Sequence, residues 1–119
     1  MSDYLFKCRE NYFNGITPSN EKSKNTVGYQ ELLKIANDTI EKIGLEAFTG
    51  FFQELQYRVN LWTAHIILEH YNADIEIEKE CIKIIKRYST GTLNPIVAIE
   101  EKKWLEENKD KYSNSTKYG

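Results

Sequence analysis

The run Val59-Asn60-Leu61-Trp62-Thr63-Ala64-His65-Ile66-Ile67-Leu68-Glu69-His70-Tyr71 decides the fold. Its apolar members, Val59, Leu61, Trp62, Ala64, Ile66, Ile67, Leu68 and Tyr71, fall on almost every side of a 3.6-residue helix. A helix with no wide polar face is packed on more than one side, so the segment reads as the centre of a helical bundle. It is too short, and too broken by His and Glu, to be the roughly 20-residue apolar span that crosses a bilayer.

Working upstream, Leu45, Phe48, Phe51, Phe52 and Leu55 predict a short helix from Leu45 to about Leu55. Before it, Leu32, Ile35, Ala36, Ile40 and Ile43 follow the 3–4 spacing of one helix face, from a Thr26 cap to a Gly44 stop. The first segment, Asp3 to Phe13, places Leu5, Cys8 and Tyr12 along a face with Phe6 and Phe13 beside them, and Asn14-Gly15 ends it. Ile16 to Asn25 is polar and reads as a surface loop.

Downstream, Asn72-Ala73-Asp74 breaks the chain, and Ile77, Cys81, Ile84, Ile85 and Tyr88 form the stripe of a helix over Ile75–Tyr88. Alternation around Asp74–Glu80 is the nearest approach to a strand, but helical spacing through Tyr88 and the Glu/Lys content decide for helix. Ser89–Thr92 turns, and Asn94-Pro95 starts a last helix reaching about Asn108. The expected architecture is all-α, with about six helices in antiparallel hairpins. Residues 1–108 form one domain and 109–119 a polar, frayed tail.

A chain of 119 residues is long enough to bury a core without disulfides or metal, and 13% aromatics exclude extensive disorder. The opening MSDYLFKCRENYF contains no apolar secretory core, so a cytoplasmic protein with reduced Cys8 and Cys81 is expected. A net charge of −2 argues against nucleic acid as a partner. Such a partner would require Lys83, Lys86 and Arg87 to join Lys7, Arg9 or Lys34 in one stripe.

Little here points to catalysis. His65 and His70 are five apart, on different sides of their helix, and cannot share an ion. His65 with Glu69 at i+4 could supply two ligands, with no third evident. Cys8 and Cys81 lie on apolar stripes, and no phosphate-cradling glycine loop or nucleophile elbow occurs. The reading is a protein that is not an enzyme and carries no cofactor or metal.

Charge placement is more informative. Glu69, Asp74, Glu76, Glu78 and Glu80 surround one helix–helix turn with Lys79 as the lone base, and Lys83, Lys86 and Arg87 follow. Acids first and bases last complement a helix dipole, which is the structural account. The functional account is an acidic surface that steers a basic protein partner, with Tyr71 as an aromatic anchor. Glu100, Glu101, Glu106 and Glu107, interrupted by Lys102 and Lys103, read as a solvated face. Most tyrosines fall at core spacing, with Tyr57, Tyr112 and Tyr118 more exposed, and Trp62 and Trp104 are expected to pack on each other.

The run Tyr57-Arg58-Val59-Asn60-Leu61-Trp62-Thr63-Ala64-His65-Ile66-Ile67-Leu68 resembles the V-R-x-W-A-A-x-x-L-L helix of HEAT-like repeat families. Glu80-Cys81-Ile82-Lys83-Ile84-Ile85 stands in the place of the partner helix, and Ala98 to Trp104 resembles an A-x-x-x-L-x-x-W ending. The resemblance covers roughly residues 48–108. It is to small bacterial helical proteins that include the immunity proteins of polymorphic toxin systems, such as contact-dependent growth inhibition. It implies a rigid HEAT-like bundle that neutralises a cognate toxin domain, expected to be a basic nuclease, with no membrane or small-molecule ligand. A helical adaptor or regulatory module is the alternative.

Overall fold

In the computed structural model, which describes residues 3–112, Val59 to Leu68 are ten consecutive buried residues on one helix. Among the described residues there are six α-helices: α1 (Asp3–Phe13), α2 (Val27–Ile43), α3 (Leu45–Phe48), α4 (Val59–His70), α5 (Ile75–Ser89) and α6 (Pro95–Asn108). Tighter 3-10 turns occur at Ser23–Asn25, Thr49–Gln53 and Gln56–Arg58. Among the described residues there is no strand, and no helix is long and apolar enough to cross a membrane.

Helix α4 is the axis. Helices α1 and α5 and the Thr49–Gln53 turn pack around it, while α6 packs on α5 and α2 on α1. Burying side chains such as Leu61 and Ile67 completely contributes about 1.5–3 kcal/mol each, which favours threading the most apolar helix through the middle. Local chemistry sets the ends. Thr26 Oγ1 accepts from the Tyr29 N–H, Asp74 Oδ1 from Ile77 and Asn94 Oδ1 from Val97, with Pro95 in the first turn of α6. Gly44 closes α2 with φ 88°, a backbone that a side chain would strain.

Five expectations need correction. The helix foreseen from Leu45 to Leu55 is α-helical only to Phe48. A 3-10 turn containing Gly50 follows, because glycine weakens helix continuation and the apolar residues are gathered by α1 and α4 instead. The buried face of α1 is Tyr4, Cys8 and Asn11 rather than Leu5, Cys8 and Tyr12, since the Tyr4 hydroxyl reaches inward to Thr63 Oγ1 at 2.9 Å. The Ile16–Asn25 loop is not merely a surface loop, for Thr17, Pro18 and Ser23 are buried. Trp62 packs on Tyr29 (5.5 Å between ring centroids), whereas Trp104 packs edge-on against His65 (4.7 Å) and stacks on Tyr112 (5.8 Å). Tyr112, expected to be exposed, is buried, and its hydroxyl donates to Leu68 O. Tyr118 and the tail beyond Tyr112 lie outside the described residues.

Candidate functional site

The α4–α5 turn leaves a cleft of about 480 Å³ whose walls include Glu69, His70, Tyr71, Glu78, Lys111 and Tyr112. His70 and Tyr71 also line a neighbouring cleft of about 390 Å³ with Gln30, Lys34 and Asn37 from α2. Both depressions arise from the same local event. Helix α4 ends at His70, Tyr71 turns to extended backbone, and Asp74 caps α5, so the chain reverses over four residues.

The six residues expected at a partner surface meet different fates. Glu76 and Glu80, four apart on α5, are exposed, and Glu76 makes only a 4.0 Å contact with Lys79 while its side chain is 82% exposed. Such a pair contributes little to stability and leaves the carboxylate available. Glu78 is half-buried at the cleft. Asp74 is committed to its cap. The Tyr71 hydroxyl donates to Asn37 Oδ1 at 2.6 Å, which fixes the ring between the two clefts. Glu69 turns inward, with Oε2 2.8 Å from His65 Nδ1. Glu78 is thus the α5 carboxylate at the cleft, while Glu76 and Glu80 are exposed on the same helix outside its lining.

Beneath the cleft floor lies a cluster that the sequence reading divided wrongly. His65 is buried, and its Nε2 lies 2.6 Å from Oε1 of the fully buried Glu101. Only a doubly protonated imidazolium donates to Glu69 and Glu101 at once. Burial works against that charge, but the attraction of Glu101 and the hydrogen bonds to Glu101 and Glu69 outweigh it and raise the His65 pKa to about 9. Burial also opposes ionisation of Glu69, yet His65 holds its carboxyl below the usual range. Ser19 Oγ stands 3.0 Å from the same Nε2. Thr17 Oγ1 and Asn20 Nδ2 donate to the two oxygens of Glu100 at 2.7 and 2.8 Å.

Glu100 and Glu101 are therefore not a solvated face. They tie the Ile16–Asn25 loop and α4 to α6. A signal for this existed, because Val97, Ala98, Glu101 and Trp104 fall at i, i+1, i+4 and i+7, one inward stripe of α6.

The two cysteines and His65 lie in the interior. Cys8 and Cys81 are buried and unbridged, and burial pushes both thiols up to about 12, away from the thiolate a nucleophile needs. Both nitrogens of His65 are engaged by carboxylates. Among the described residues no three His, Cys, Asp or Glu side chains are grouped to hold a metal ion. No protein-family model, curated protein or solved structure matches this chain.

Proposed function

We propose that this protein binds a basic protein partner through the acidic start of α5 beside the α4–α5 cleft, and that the partner is a toxin domain it neutralises. The observation that supports the reading is the cleft itself. A fixed aromatic wall, Tyr71, and the Glu78 carboxylate line it beside a turn clamped from below by His65 and Glu69, and the first turns of α5 add the exposed carboxylates of Glu76 and Glu80. Such a surface needs little ordering when it binds, and ordering is a main cost of association. Its charge steers a basic partner and speeds encounter. Neutralisation requires occupancy and not turnover, which suits a chain whose thiols and imidazole are engaged in its interior. The toxin comes from the resemblance of residues 48–108 to immunity proteins, and a cytoplasmic place of action is proposed from the two unbridged thiols.

The test is capture of the tagged protein from its own cells in moderate salt, alongside the Glu76→Lys/Glu80→Lys variant. One stoichiometric basic partner, lost about tenfold or more by the double reversal at unchanged melting temperature, is expected. That partner should be toxic when expressed alone. Binding that survives the reversal places the interface elsewhere. Several substoichiometric partners would favour a helical adaptor instead.

A further inference from the structure

At the other end of α4, roughly 17 Å from the acidic cleft by helix rise, two consecutive residues hold left-handed backbone: Tyr57 (φ 54°) and Arg58 (φ 58°). Neither is Gly, Asn or Asp, the residues that tolerate this region, so the conformation is held against a local cost. It places the Arg58 guanidinium 4.6 Å from the centre of the Tyr12 ring. Tyr12 in turn meets Phe13 and Tyr57 edge-on, with centroids 5.4 and 5.5 Å away. Arg9, one turn earlier on α1, lies over Phe13 and Tyr57 at 5.9 and 5.8 Å.

Two arginines thus lie against a three-ring cluster at cation–π distance, and neither has an ion-pair or hydrogen-bond partner among the described residues. The contrast with Lys7 is direct, since its ammonium sits 2.6 Å from Glu10 and 2.9 Å from Glu31. A third arginine, Arg87 in the last turn of α5, acts together with Arg58 on the Tyr88 phenol, whose pKa burial raises and these two cations lower. Phe13, one of the three rings, and Leu55, two residues before Tyr57 in the chain, are each 66% exposed.

We propose that the Arg9–Arg58 surface is a docking site for an acidic segment of a protein partner, whose carboxylates take the outward edges of the two guanidiniums while Phe13 and Leu55 receive its apolar side chains. A guanidinium held at a ring without an anionic partner keeps its N–H fork available, and that fork matches a carboxylate bidentately. Contact with the rings also removes some of the rotamer freedom that a free arginine would lose on binding. The ring faces over which the guanidiniums lie are not open for a nucleobase to stack on, and a chain of net charge −2 does not favour a polyanion. Exposed Phe13 and Leu55 suit a protein surface. The inference stands independently of the reading of the acidic start of α5.

The test is an NMR titration of the full chain, following backbone amides and arginine Nε–H resonances. The probes are a synthetic peptide alternating Glu with Leu and Phe, its Gln counterpart, and a thymidine oligonucleotide. Shifts centred on Arg9, Tyr12, Phe13, Tyr57 and Arg58 with the Glu peptide are expected, weakening as salt rises. In Arg9→Gln/Arg58→Gly the affinity should fall about tenfold or more. Because glycine accepts the left-handed backbone freely, Arg58→Gly alone should melt within a few degrees of the parent or above it while losing peptide binding. Equal binding of the Gln peptide, unmoved arginine resonances, or tighter oligonucleotide binding at the same residues would each overturn the proposal.

Discussion

Glu101 has no exposed surface, one oxygen on His65 and the other without a hydrogen-bond partner. Such a carboxylate is held by its cation, so removing either member strands the other. Glu101→Ala should cost about 3–5 kcal/mol, and Glu101→Gln, which keeps the volume, should cost less. The pH dependence separates charge from packing. Because the His65 pKa is raised in the fold, to about 9, its contribution is complete below the ordinary value of about 6.5 and is lost as pH rises through 9. Urea unfolding of the parent chain should therefore show a fall on the order of 1–3 kcal/mol between pH 6.5 and 9.5, smaller in Glu101→Gln, which keeps only Glu69 beside His65. A parent stability that is flat over this interval would mean that His65 is neutral in the fold. His65 and Glu69 are visible as a pair in the sequence because i and i+4 meet on a helix. Glu101 was misread because its acidic neighbours suggested solvent, and only the packing of α6 turns that one position inward.

At the scale of elements, the α1–α2 contact turns on Gly28. A Cβ there would stand 2.5 Å from Asn11 Oδ1 and 2.7 Å from Ile16 Cδ1. Asn11 cannot swing away freely, since it is buried and its Nδ2 donates to Gly28 O at 3.1 Å. Helix propensity alone would favour alanine by about 1 kcal/mol, and the crowding should reverse the sign. Gly28→Ala is expected to lower stability by roughly 1–3 kcal/mol, read as a drop in the melting transition. A stabilised variant would show that α1 and α2 part without cost. The bounds of α1, α2 and α6 were legible from their caps and stops, which act within a few residues. The truncation of α3 at Phe48 was not, because Phe51 and Phe52 continue its helical spacing and give way only to the pull of α1 and α4. The left-handed Tyr57–Arg58 pair was invisible for the same reason. No local residue type requests it, and Asn60, whose N–H donates to Glu54 O, shows the chain bent to start α4 where the core needs it.

For the whole molecule, the chain past α6 contributes to the core. Tyr112 stacks on Trp104, which meets His65, and its hydroxyl donates to Leu68 O at 2.9 Å. Tyr112→Ala should therefore destabilise the protein by about 2–4 kcal/mol, and Tyr112→Phe by only about 1 kcal/mol through the lost hydrogen bond. Denaturant midpoints of the two variants would check this, and equal, negligible losses would place residue 112 outside the cooperative unit. The sequence by itself determined that the protein is all-helical, that α4 is central and where most helices begin, because periodicity, caps and glycine stops operate over one or two turns. Only the tertiary structure decided which acids face water and which face His65, which ring meets which, and where two arginines come to lie against aromatics. Those outcomes depend on residues tens of positions apart, whose approach is set by the packing of whole helices and not by any local pattern.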